Sequence, residues 1–204
     1  MHCMVQKIAR AAGRPPEYDR DEVIAKAMVA FWRDGYEATT LSALENATGL
    51  DRSSIYNSFG GKSGLYDLVM ESYLDRGRAE LFAPLTDGTE GIADLVEFLD
   101  RLQAMQADNA TPTGCLVTND LCRPGNDEPT DAYLDLLRAG VARTIERSNR
   151  VDHTDPGLNA ARGATLVASI VGVNLLHHHD PSSTEMVDGL RDLVRSWTVN
   201  RSAG

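Results

Sequence analysis

Gly49 divides two short segments of helical periodicity. Leu41, Leu44 and Ala47 recur at helical spacing before it, and Leu50, Ile55 and Phe59 resume the pattern after it. A glycine at that point supplies the left-handed residue that ends one helix and lets the next leave at a steep angle. Thr40 or Ser42 can cap the first segment, and Asp51 is a good N-cap for the second. Between the anchors of the second segment lie Arg52, Ser53, Ser54, Tyr56, Asn57 and Ser58, nearly all hydrogen-bond donors and only one of them charged. An ordinary solvated helix carries Glu, Lys and Ala, whose helix propensity is better than that of a Ser-Ser-Ile-Tyr-Asn-Ser run. Such a surface suits the second helix of a helix-turn-helix, laid against DNA phosphates and base edges.

At these residues the chain resembles the tetracycline-repressor (TetR) family of bacterial one-component regulators. Gly35-Tyr36-Glu37-Ala38-Thr39-Thr40 is similar to the family's helix-ending segment, and Ala47-Thr48-Gly49-Leu50 to its turn. Ser53-Ser54-Ile55-Tyr56-Asn57-Ser58-Phe59-Gly60-Gly61-Lys62 is similar to its recognition helix and the junction with the following helix. The likeness is strong over residues 17–70 and architectural beyond them. The chain departs from the pattern at Glu45, where Ala is common, at Asp51, where Ser is the usual cap, and at Gly61, where Ser, Asn or Asp is usual. Two extra acids near the phosphate path weaken binding there. The resemblance implies an all-α fold of about nine helices, with a helix-turn-helix head over residues 17–62 and an effector-binding and dimerisation domain over 63–204. It also implies contacts with a double-stranded DNA operator from Thr40, Ser42, Arg52, Ser53, Ser54, Tyr56, Asn57, Ser58 and Lys62.

Overall charge opposes a nucleic-acid partner, since the chain is net −10. The charge is unevenly spread: residues 1–66 hold eight Lys/Arg against eight Asp/Glu, and residues 67–204 hold twelve against twenty-two. Only the N-terminal third can approach DNA, and neutral donors must supply many of its phosphate contacts. Residues 1–16 carry Lys7, Arg10 and Arg14 without an acid, a flexible basic arm that could enter a minor groove. Three cysteines (Cys3, Cys115, Cys122) are too few and too scattered for a disulfide framework. No signal peptide is visible, and the longest uncharged apolar run, Gly163 to Leu176, falls short of the ~20 residues that span a bilayer. A cytoplasmic protein without a membrane partner is expected.

Asp19 and Glu22 open a first helix whose stripe of Val23, Ile24, Ala27, Met28, Phe31 and Trp32 should cover Leu41, Leu44, Ile55 and Phe59 from behind. Gly35 ends it. Lys62 begins the helix that joins the head to everything downstream, placed for a phosphate contact. Pro84, Gly88 and Gly91 mark a break in helical pattern. Helices then follow over about 89–108, 130–149, 156–178 and 184–198, with a short apolar segment at Cys115–Cys122. In the third from last, Arg138, Arg143, Arg147 and Arg150 fall on the outer side. The penultimate helix is apolar nearly all round with interleaved small residues. With the last helix it suits a homodimer interface of four helices, two from each subunit.

No catalytic constellation is visible, and the chain reads as a non-enzyme: it lacks a Gly-x-Ser-x-Gly elbow, a phosphate loop and a dinucleotide fingerprint, and its acids fall on solvent faces. His177-His178-His179 cannot converge on one ion while helical, so no metal is expected, nor any other cofactor. The inward faces of the C-terminal helices offer Phe98, Leu102, Met105, Cys115, Tyr133, Leu137 and Asn174 to a small apolar effector of a repressor. Three alternatives stay open: an effector-independent regulator, a Cys115-based redox or electrophile sensor, and a helical dimer whose helix-turn-helix binds protein. Cys115 follows Gly114 at a short helix's start, where amide dipoles favour a thiolate.

Overall fold

The computed structural model describes residues 18–121, 123, 127–151 and 159–198. The basic arm, Cys3 and Cys122 lie outside them. Among the described residues every regular element is helical: α1 (Arg20–Ala38), α2 (Leu41–Thr48), α3 (Arg52–Phe59), α4 (Gly61–Glu80), α5 (Ala83–Asp87), α6 (Ile92–Ala107), α7 (Leu116–Asn119), α8 (Asp127–Val151), α9 (Asn159–His179) and α10 (Glu185–Arg195). A 3-10 turn, Pro181–Thr184, precedes α10.

Each start in the head has the expected local cause. Asp19 accepts from the amides of Asp21 and Glu22, Thr40 from that of Ala43, and Asp51 from that of Ser54. Of the two candidate caps for α2, Thr40 is the one used, and Ser42 is exposed. Gly49 ends α2 in the left-handed region (φ 77°) and turns the chain into α3. Gly35 (φ 76°, ψ 163°) interrupts α1, after which one further turn reaches Ala38.

The stripe of α1 is buried as its spacing requires, from Val23 to Trp32, and packs on α4 as well as α2. With Leu44, Ile55, Phe59, Leu65 and Val69 it fixes α3 from behind. The same apolar cluster continues without interruption to Trp197, so head and body share one core through α4. In the body α6 packs on α8 and α10, and α8 packs on α9.

Four expectations are corrected. The break at Pro84 contains a helix, α5, because proline near a helix start costs no hydrogen bond. Not all acids face solvent: Asp94 is 4% exposed, and its carboxylate accepts from the amides of Glu90 (2.9 Å) and Gly91 (3.0 Å). Arg147 does not point outward. It is half-buried and donates to Asp94 (3.4 Å) and to the carbonyls of Pro84 and Leu85 (both 3.3 Å). Finally, α9 is 21 residues long, enough by length and composition to cross a bilayer, although Arg162 interrupts its apolar run. Leu166, Ile170 and Val173 nevertheless pack into the cluster, and Asn174 and His177 are buried polar groups.

Candidate nucleic-acid interface and effector cavity

The exposed side of α3 carries Arg52, Ser53, Tyr56 and Asn57, and none of these side chains has an intramolecular hydrogen-bond or ion-pair partner among the described residues. Tyr56 is 54% exposed, unusual for so large a ring. It lies against Gly61, where an added Cβ would come within 2.8 Å of the ring, and Gly61 has φ +88°. Gly61 is therefore no missing cap: it accepts a left-handed conformation and makes room for Tyr56. Ser54 and Ser58 are half-buried on the flanks of the helix.

The acidic departures also find a structural role. Glu45 Oε1 accepts from the amide of Arg52 (2.8 Å), while Asp51 accepts from Ser54 (2.7 Å). The Ser54 amide, then its hydroxyl, hold the Asp51 carboxyl below its ordinary range. Two carboxylates thus occupy the start of α3. The start of α4 has no side-chain cap, leaving its amides open beside Lys62. Lys62 itself is half-buried, with Nζ over the Tyr36 ring (4.3 Å to centroid) and donating to the Glu37 carbonyl (3.4 Å). Thr40 is exposed and committed to capping α2.

Between head and body lies an interlocked polar junction. The Tyr66 hydroxyl donates to Asp120 Oδ2 (2.7 Å), and Arg123 pairs with the same carboxylate (3.1 Å). The Arg123 guanidinium also stacks over Tyr36 (4.3 Å) and Tyr66 (4.6 Å). Burial, then the Asp120 carboxylate, raise the Tyr66 phenol well above its ordinary pKa.

A cavity of about 150 Å³ is walled by α1, α4, α6, the 108–115 link, α8 and α9. Of the side chains expected to face an effector, Leu102, Met105, Cys115, Tyr133 and Asn174 line it. Phe98 and Leu137 do not; both are wholly buried and packed in the core. Cys115 is 5% exposed, with the Tyr73 and Tyr133 phenols close to its sulfur. Burial first, and then the Cys115 sulfur, push both phenols well above their ordinary pKa. Trp32, Tyr73 and Gln106 also line the cavity. They escaped sequence reasoning because a stripe at helical spacing does not distinguish a core neighbour from a cavity wall.

Of the three adjacent histidines, His177 is buried, His178 Nδ1 lies 3.0 Å from Asn119 Nδ2, and His179 is exposed. No group of three metal-ligating side chains occurs among the described residues.

A sequence profile described as bacterial regulatory proteins, tetR family, matches residues 23–69, which run from α1 through the first half of α4. The HTH-type transcriptional repressor ComR of Escherichia coli K12 is 35% identical over 115 residues, 56% of this chain and 55% of ComR. The chain thus spans about half the length of the curated relatives it matches. Among solved structures, a cysteine mutant of the TetR family regulator CifR in complex with 26-bp operator DNA aligns with a TM-score of 0.67 at 24% identity, over 91% of this chain and 100% of that one. A TetR transcriptional regulator from Chloroflexus aurantiacus aligns at TM-score 0.74 and 22% identity, over 88% and 95%. These likenesses extend the fold from the head to the helical body. Residues 23–69 thus match the tetR family of bacterial regulatory proteins, and the helical body shares the fold of these solved structures.

Proposed function

We propose that this chain is a ligand-responsive DNA-binding transcriptional regulator, a cytoplasmic homodimer released from a palindromic operator by a small apolar effector. The observation that carries this reading is the exposed, unpartnered donor row of Arg52, Ser53, Tyr56 and Asn57 on α3. A folded protein seldom leaves such a row on a short helix of poor propensity without a ligand for it. Ser42, Ser54, Ser58 and the open amides at the start of α4 supply flanking phosphate contacts, and Lys62 reaches phosphate by leaving the Tyr36 ring. The printed description of ComR as a repressor and the operator bound to CifR support the same assignment.

Dimerisation through α9 and α10 is supported by what those helices leave uncovered. Leu175, Leu176, Met186 and Leu193 are exposed, and Gly163, Ala164 and Ala168 line an open groove between α8 and α9. Small residues there let a second copy approach closely. Pairing the two heads sets the separation of the α3 helices over successive major grooves. The cavity touches both α1 and α4, so an effector that prefers one subunit arrangement shifts the other through the helix that carries the head. It shifts that equilibrium only by its differential affinity for the two states. The cavity favours this over an effector-independent regulator. Cys115 lines the same space, so an oxidant or electrophile would have to enter as a ligand does.

Affinity for operator DNA, measured by fluorescence anisotropy, should fall steeply with salt. Tyr56→Ala and Arg52→Ala should each weaken it by about tenfold, on the order of one charge-assisted hydrogen bond, while the dimer and its melting temperature hold. A salt-independent complex, or a Tyr56→Ala protein that melts early, would mean that α3 serves the core or a protein partner.

A further inference from the structure

The cavity beside Cys115 holds hydrogen-bonding capacity that the protein does not use. Trp32 lines it from α1, is 8% exposed, and its indole Nε1–H has no acceptor among the described residues. A buried indole N–H normally finds a partner. Gln106 lines the cavity from α6, and its Oε1 is buried without a donor. The Gln106 amide is oriented by its neighbours: Nε2 donates to Asn174 Oδ1 (3.1 Å), and Asn174 Nδ2 donates to the Tyr133 hydroxyl (3.3 Å). One buried donor and one buried acceptor therefore remain among largely apolar walls. The charged lining residues Arg76, Glu80 and Asp108 are all exposed, so no buried charge awaits a counter-ion. A space of about 150 Å³ suits a one-ring organic molecule.

We propose that the effector is a neutral, one-ring-sized molecule with a carbonyl-type acceptor, recognised by the indole N–H of Trp32, so that the DNA-binding head itself touches the ligand. This rests on the cavity being the effector site. A hydroxyl or N–H on the same molecule would satisfy Gln106 Oε1. Trp32 packs edge-on against Tyr73 of α4 (centroids 5.2 Å), and α1 backs the recognition helix. A shift of the indole is therefore transmitted to α3 by one continuous packed element. Specificity resides in the donor: a ligand of equal shape without an acceptor leaves the N–H unpaired.

The test uses a matched pair of probes, acetophenone and α-methylstyrene, in which the carbonyl oxygen is replaced by a methylene at constant shape. Nitrogen-15 NMR of the protein reads the two indole N–H signals, with Trp32→Phe assigning that of Trp32. Acetophenone should move the Trp32 signal downfield and bind about tenfold more tightly than α-methylstyrene, the gain of one hydrogen bond. Trp32→Phe, which keeps the ring against Tyr73, should bring acetophenone down to the affinity of α-methylstyrene and leave the latter unchanged. Equal affinity of the two probes for the unmodified protein, with the indole signal unmoved, would overturn the proposal while the cavity stands as a binding site. Binding of neither probe would remove the effector site itself, and the proposal with it.

Discussion

Replacing Gly61 by alanine separates the two jobs assigned to the α3–α4 junction, because its effects on stability and on DNA should follow different rules. Gly61 has φ +88°, so any L side chain there is strained whatever the space around it; that strain costs about 1–2 kcal/mol. The added Cβ would also stand 2.8 Å and 3.1 Å from Cε1 and Cδ1 of Tyr56. That clash is relieved cheaply, since the ring is 54% exposed and free to swing outward. For a chain of 204 residues the strain alone should lower the melting temperature by roughly 2–8 °C, at matched protomer concentration. The displaced ring should weaken operator binding by about tenfold if Tyr56 makes one charge-assisted contact with phosphate. In a Tyr56→Ala background the stability loss should persist in full, whereas the further loss of affinity should vanish. Thermal melts and anisotropy titrations of the four proteins complete this double-mutant cycle. An equal loss of affinity in both backgrounds would refute the idea that Gly61 acts through Tyr56, and an unchanged melting temperature would refute the left-handed requirement.

The buried pair of Asp94 and Arg147 gives a purely structural control: Asp94→Ala uncaps the amides of Glu90 and Gly91 and strands a half-buried guanidinium. It should cost about 3 kcal/mol and leave the salt dependence of operator binding unaltered; a loss under 1 kcal/mol would show the pair to be solvated. Alkaline unfolding should begin near pH 10, because Tyr66, Tyr73 and Tyr133 all have phenols raised above the ordinary value. Their contribution is fully present below the unfolded pKa and is lost as pH rises toward the folded values, so Tyr66→Phe should blunt a melting-temperature profile taken between pH 8 and 11.

The head was legible because each of its elements is dictated within a few residues. Thr40, Asp51 and Gly49 cap and turn the chain where their chemistry allows little else, and the α1 stripe has only one side to bury. The body was less so. Pro84 reads equally as the end of a helix and as the start of one, and the choice falls to α5 packing on α6 and α8. Asp94 and Arg147 look like surface charges in isolation; their burial depends on a partner 53 residues away. Glu45 looked like a liability beside phosphate until its carboxylate was seen to cap Arg52. Phe98 and Leu102 sit four residues apart on α6, yet only Leu102 reaches the cavity. That difference comes from how α4, α6 and α8 converge, which no local pattern encodes.

Selection of fragmented genomic DNA on the purified protein, run in parallel with a Tyr56→Ala, Arg52→Ala double variant, tests whether α3 reads DNA. The unmodified protein should enrich a palindromic sequence whose half-sites lie about one helical turn or somewhat more apart, and the double variant should lose it. Enrichment of no sequence, or of the same sequence by both proteins, would contradict the assignment of α3 as the recognition helix.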